Sequence, residues 1–293
     1  MFSGSIVALV TPFKKDGSVD YIKLTELVEW HISEGTNGIV PCGTTGESPT
    51  LSDEEQQRVI RTVVDTVKGR IPVIAGTGSY DTRHAVMMTQ YAKECGADAA
   101  LIIAPYYSKP TQRGCIAHFS EIAKVGLPLV LYNHYGRTGT KLTPETISEL
   151  SDIPEVIAIK EACGDIGIVM DIKNACDITV ISGDDNLTIP FMAVGATGVI
   201  SVVANLIPKA WSQIVKGYQS GSHKEALEEA YRYRRLCQAV VAENNPQGIK
   251  YAMKALGLCD DTVRLPLIET SPAAKEHIEK AMKECGLLAR VGA

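Results

Sequence analysis

The sequence predicts an α/β chain of the (β/α)8 TIM-barrel class carrying a helical appendage at its C-terminus. Three observations lead there. Eight short apolar runs rich in Val and Ile recur along the first 203 residues. Helical patterns separate them. After the eighth run the strand signal stops, while helical periodicity continues. Strands apolar on both faces and alternating with helices suit a parallel sheet covered on both sides, which closes into a barrel. A doubly wound open sheet is the runner-up, but no Gly-rich phosphate loop supports it.

The runs span residues 6–10, 38–42, 71–75, 99–104, 128–132, 156–160, 178–182 and 198–203. Each is strand-sized and followed by a turn containing Gly, Pro or Thr. Ser52-Asp53-Glu54-Glu55 reads as a capping box ahead of Val59, Ile60, Val63, Val64 and Val67, so a helix starts there. Thr143-Pro144-Glu145 starts another, with proline in the first turn. From about residue 208 onward only helices are expected, among them 225–241 and 273–285. Residues 1–224 are assigned to the barrel that carries the active site, and 225–293 to a C-terminal helical region. No Pro/Gly/Ser linker separates the two, so the second is an appendage rather than an independent domain.

Composition narrows the function classes. The chain has 293 residues, 45% hydrophobic and 22% charged, enough apolar material for a large core. A net charge of −5 without a basic run argues against nucleic acid as a partner. The eight cysteines are scattered, none pairs as C-x-x-C, and no histidines cluster beside them, so neither a zinc site nor a disulfide framework is expected. Residues 1–10 do not read as a signal peptide, and no apolar run approaches the ~20 residues that span a bilayer. A cytoplasmic protein is expected.

In such barrels chemistry sits at the C-terminal ends of the strands. The candidates are therefore Gly43, Thr44, Thr45 and Glu47 after the second run, and Tyr106-Tyr107 after the fourth. Tyr132-Asn133 follow in the fifth, Lys160-Glu161 in the sixth and Gly183-Asp184 in the seventh. Lys160 is the most informative. By alternation Val156, Ala158 and Lys160 share one face, with Ile157 and Ile159 on the other, so Lys160 points into the barrel above a small residue. Desolvation there would free its amine to attack a ketone. The competing reading is a structural ion pair with Glu161 or Asp184. Tyr132 either relays protons or caps the core. Thr44-Thr45 either hold a carboxylate or form an ordinary turn. Arg137 is a carboxylate clamp or a solvated loop residue. Gly76-Thr77-Gly78 lacks the spacing of a nucleotide fingerprint and is assigned to turn geometry.

Taken together, several motifs resemble the dihydrodipicolinate synthase family of pyruvate-dependent, lysine Schiff-base enzymes. They are Gly43-Thr44-Thr45-Gly46-Glu47, Tyr106-Tyr107, Tyr132-Asn133 with Arg137-Thr138-Gly139, and Ile159-Lys160-Glu161-Ala162. Ser182-Gly183-Asp184-Asp185, Gly198-Val199-Ile200-Ser201 and Arg264-Leu265-Pro266-Leu267 extend the match over essentially the whole chain. The resemblance implies condensation of pyruvate with L-aspartate 4-semialdehyde, without a metal or organic cofactor. Lys160 would form the Schiff base. Tyr132, Thr44 and Tyr107 would relay protons, Tyr107 from a neighbouring subunit. Thr45 would hold the pyruvate carboxylate, Arg137 that of the aldehyde, and the Gly183 and Ile200 backbones would line the pocket. A homotetramer built from two tight dimers is implied.

Two features depart from the family pattern. His134-Tyr135-Gly136 replaces an apolar residue and proline ahead of Arg137, with the arginine spacing kept. Asp53, Gln56, Tyr80 and His84 align with the positions that bind inhibitory lysine in relatives, so weak or absent lysine inhibition is expected. The alternatives are N-acetylneuraminate lyase or a 2-keto-3-deoxy sugar acid aldolase, which Thr44, Tyr107 and Arg137 disfavour, and a non-catalytic metabolite-binding relative. Turnover of aspartate semialdehyde against cleavage of sugar acids separates the enzymes.

Overall fold

A computed structural model describes residues 2–289; Met1 and the last four residues of the expected C-terminal region lie outside them. Strands and helices alternate from the start: β1 (Gly4–Ala8), α1 (Tyr21–Ser33), β2 (Gly38–Val40), α2 (Asp53–Val67), β3 (Ile74–Gly76), α3 (Thr82–Cys95) and β4 (Ala99–Ile103). The order continues through α4 (Gln112–Ala123), β5 (Leu129–Asn133), α5 (Tyr135–Thr138), α6 (Pro144–Ser151), β6 (Val156–Glu161), α7 (Ile166–Ala175) and β7 (Thr179–Ser182). Then come α8 (Thr188–Ala193), β8 (Gly198–Ser201) and four consecutive helices: α9 (Pro208–Gln219), α10 (His223–Ala239), α11 (Gln247–Ala255) and α12 (Pro272–Glu284).

All eight strands are parallel, in the order β2-β1-β8-β7-β6-β5-β4-β3. A parallel bridge between Ile39 and Val73 joins the two ends and closes the barrel. The third strand begins later than its apolar run. Pro72 has no N–H to give to a ladder, and it contributes instead a carbonyl that accepts from Ile39 N at 3.0 Å. Ser52 caps α2 through the reciprocal bonds with Glu55 that its spacing implied.

Closure divides the apolar residues into two cores. Ile6, Ala8, Val40, Leu101, Val130, Ala158, Ile181 and Ile200 fill the barrel, while Val7, Leu9, Ile39, Leu131 and Ile159 meet the helices. Alternation along each strand produces this split. Strand β6 breaks the pattern once. The register against β5 shifts at Leu129/Val130, so Val156 pairs with Leu129 and Ala158 with Val130, which leaves Ile157 as the extra residue. Val156 therefore packs with the outer core rather than sharing the inner face with Ala158, and Ile157 is 37% exposed. Beyond the irregularity Ala158 and Lys160 keep the inward orientation expected for them.

The C-terminal helices pack back on the barrel. Helix α10 packs against α9 and α12, and α11 packs against α12. The loop between α10 and α11 brings Glu243, Asn244 and Asn245 to the barrel mouth. Among the described residues, no helix is long and apolar enough to cross a membrane.

Candidate active site

Six of the eight residues singled out in the sequence converge on one cavity of about 310 Å³ at the C-terminal mouth of the barrel: Thr44, Thr45, Tyr132, Arg137, Lys160 and Gly183. Thr44, Tyr132 and Arg137 also line an adjoining lobe of about 200 Å³ that reaches Tyr106.

Lys160 is buried, and its Nζ lies 4.3 Å from the centre of the Tyr132 ring. The two residues are register partners on β6 and β5, which brings them side by side across the ladder. Among the described residues Lys160 forms no ion pair, so the structural-pair reading fails. Glu161 is occupied elsewhere, accepting from Asn133 Nδ2 at 2.8 Å and from Cys163 N at 2.8 Å. It alternates to the opposite face of β6, and burial pushes its carboxyl above the usual range. The amine of Lys160 thus meets an aromatic face and the cavity, with no carboxylate in ion-pair contact among the described residues.

Thr44 and Thr45 stand on a tight loop whose ends, Cys42 and Glu47, both have left-handed backbone, at φ 55° and 54°. Such a loop persists only when its surroundings hold it. Asn245 Nδ2 donates to Thr45 Oγ1 at 3.0 Å, and buried Glu47 is gripped by Lys250 and by Arg264 N at 3.1 Å. All three partners come from the C-terminal region. Gly76 and Gly78 serve packing: a Cβ on Gly76 would stand 2.2 Å from Cys42 O, and one on Gly78 2.5 Å from Ile103 N.

Arg137 is exposed on the one-turn helix α5. Its position is set by Asn133, whose side chain accepts from Leu142 N at 3.0 Å and donates to Leu142 O at 3.3 Å, tying down the intervening loop. Gly183 lies against β6: an added Cβ would stand 2.6 Å from Ala162 Cβ and 2.9 Å from Lys160 Cε.

Two candidates do not line the cavity. Ile200 is fully buried in the barrel interior beside Tyr132 and Ala158. Tyr107 is 90% exposed, held outward at a left-handed φ of 66°. Sequence reasoning had not assigned the cavity's remaining polar lining, His134, Asp185, Asn186, Glu243, Asn244 and Asn245. The Asn-Asn-Pro run at 244–246 signals a turn, but nothing in it says which surface the turn will face. Asp185 Oδ2 accepts from Val202 N and Val203 N, and burial raises its carboxyl to about 6.

A buried, unpaired lysine beside a tyrosine at the mouth of a parallel barrel defines an imine-forming lyase of the (β/α)8 class. The model of the dihydrodipicolinate synthetase family matches residues 1–285, and the chain belongs to that family. A 4-hydroxy-tetrahydrodipicolinate synthase from Geotalea uraniireducens is 49% identical over 291 residues, covering 98% of this chain and all of that one. Among solved structures, the chloride-inhibited dihydrodipicolinate synthase of Acinetobacter baumannii complexed with pyruvate superposes with TM-score 0.96 at 43% identity, covering 98% of this chain and 100% of the other. The Aquifex aeolicus dihydrodipicolinate synthase does so with TM-score 0.94 at 42% identity, covering 97% and 98%.

Proposed function

We propose that this chain condenses pyruvate with L-aspartate 4-semialdehyde to give 4-hydroxy-tetrahydrodipicolinate, in the diaminopimelate route to lysine. The observation that carries the reading is Lys160, buried without an ionic partner and 4.3 Å from the Tyr132 ring. Its amine adds to the pyruvate ketone, and Tyr132 with Thr44 moves the protons by which water leaves. The resulting iminium draws electrons from the methyl group, which loses a proton and becomes an enamine nucleophile. That carbon attacks the aldehyde, and the substrate's own amine then displaces Lys160 as the ring closes.

The lining suits these reactants. Thr45 and the Gly183 backbone hold the pyruvate carboxylate, and the Arg137 guanidinium takes the carboxylate of the aldehyde. Asp184 and Glu243 supply negative charge for the substrate's ammonium. Ile200 supports the pocket floor. Tyr107 completes the relay of a neighbouring subunit, supported by its outward projection, and the assembly is a homotetramer of two tight dimers in the cytoplasm. Residues 1–224 form the catalytic unit and 225–293 the region that braces its mouth. Lysine inhibits weakly or not at all. In support, Gln56 Nε2 is engaged with Gly76 O at 2.9 Å and His84 Nε2 with Asp53 Oδ1 at 2.9 Å.

Incubation with pyruvate, reduction with borohydride and mapping of the modified peptide test the chemistry. An adduct on Lys160 that is absent from Lys160→Ala is expected. No adduct in the folded protein removes the mechanism.

A further inference from the structure

We propose that His134 is a specificity-determining residue whose Nε2–H donates a hydrogen bond to the aldehyde oxygen of the second substrate as the carbon–carbon bond forms. The inference rests on the imine mechanism above and adds a group to it.

The backbone of His134 is committed to local structure. Its carbonyl accepts from Arg137 N and Thr138 N, both at 3.1 Å, which starts α5 directly after β5. The side chain is free to serve the cavity, which it lines together with Tyr132, Arg137 and Lys160. The ring stands edge-on to Tyr132, with centroids 5.9 Å apart and planes at 71°, so the tyrosine fixes its tilt. Nδ1 is enclosed without a partner, and the Nδ1–Cε1 edge faces Gly136, where an added Cβ would stand 3.3 Å from Cε1. Nε2 is not enclosed and has no hydrogen-bond partner among the described residues, so it is the ring nitrogen open to the cavity that His134 lines.

Burial first, then Arg137 and Lys160, push the imidazolium of His134 down to about 4, so the ring is neutral at physiological pH. A neutral imidazole with one enclosed nitrogen has two tautomers. The Nε2–H tautomer places the donor on the nitrogen that is not enclosed. The aldehyde must occupy the same cavity, because its carbon has to reach the enamine on Lys160 while its carboxylate meets Arg137, and His134 lines that cavity with both.

The electron count is simple. The enamine pair forms the carbon–carbon bond and nitrogen becomes an iminium again. The carbonyl π pair moves to oxygen, and that oxygen is the one Nε2–H holds until the Tyr132 hydroxyl supplies its proton. Preorganised donors at a developing oxyanion act in this way, and a neutral imidazole does so without giving up its own proton.

The test compares wild type with His134→Val and His134→Gln, measuring adduct formation with pyruvate and steady-state turnover of aspartate semialdehyde. Loss of one oxyanion donor should lower kcat for His134→Val by about 10- to 1000-fold, with pyruvate trapping at the wild-type rate and partial recovery in His134→Gln. Turnover by His134→Val within about twofold of wild type overturns the proposal, and so does equal impairment of both variants, which would mark a role in shape alone. Slowed trapping in both variants also overturns it, because the residue would then act on the imine. Absence of trapping in wild type is a different result, which removes the imine mechanism itself.

Discussion

The Lys250 ammonium lies 2.5 Å from the Glu47 carboxylate, 203 residues earlier in the chain, and both side chains are shut off from solvent. Lys250 also donates to Thr262 O at 2.9 Å and sits over the Phe13 ring at 4.1 Å. The pair therefore ties α11 to the loop that presents Thr44 and Thr45. Beside it the Arg264 guanidinium grips both carboxylate oxygens of Glu55, each at 2.6 Å. The catalytic loop is thus braced from the C-terminal region, although its own sequence comes from the second strand.

Removing one partner leaves the other charge buried and uncompensated. Lys250→Met alone should cost about 3–5 kcal/mol in urea denaturation. The double variant Glu47→Leu/Lys250→Met should recover most of that stability while remaining impaired in turnover, because the loop loses its anchor. Equal stability of the single and double variants would show that the charges do not need each other.

Lys160 makes the opposite prediction. It is buried without an ionic partner, a cost carried for chemistry. Lys160→Met should abolish turnover and raise stability by about 1–3 kcal/mol, read as a higher melting temperature. A lower melting temperature would mean that the ammonium stabilises the fold through the Tyr132 ring.

Gly183 is required by space. Its missing Cβ would fall 2.9 Å from Lys160 Cε. Gly183→Ala should slow trapping of pyruvate by about 100-fold, because a small displacement of the reacting amine suffices for such a loss. Trapping at the native rate would show that the loop shifts to make room.

Burial pushes the fully enclosed His31 down to about 3, against 6.5 for the free side chain. Between those values the unfolded chain binds the proton and the folded chain does not. The stability associated with neutral His31 is therefore full above pH 6.5 and is lost as pH falls toward 3. At pH 5 the loss is about 2 kcal/mol. Urea midpoints at pH 7.5 and 5.0 should differ by less in His31→Gln than in wild type. His118, pushed down to about 4 by burial, adds a slope of the same sign in both proteins. An unchanged difference would locate the acid sensitivity elsewhere.

Periodicity and strand ends made much of this protein legible. Alternation on the sixth strand was enough to turn Lys160 inward over Ala158, because the pleat has period two. The same rule failed at Val156, where a register irregularity against β5 interrupts the pleat. Nothing in the run itself announces that irregularity, since it arises from the fit of two strands. His134 shows a similar limit: its place after β5 was visible, but not which ring edge would be enclosed.

By itself, then, the sequence determined the strand–helix order, the inward lysine and the polar strand ends that open at one mouth. Those follow from local rules of pleat, turn and cap, which act over a few residues. Only the tertiary structure decided that Asn245, Lys250 and Arg264 would brace the Thr44–Thr45 loop, and that Lys160 would stand beside Tyr132 with no ion-paired carboxylate among the described residues. Such contacts join segments up to 217 residues apart. They exist because closing the barrel and folding the C-terminal helices back on it bring those segments together, which no local rule encodes.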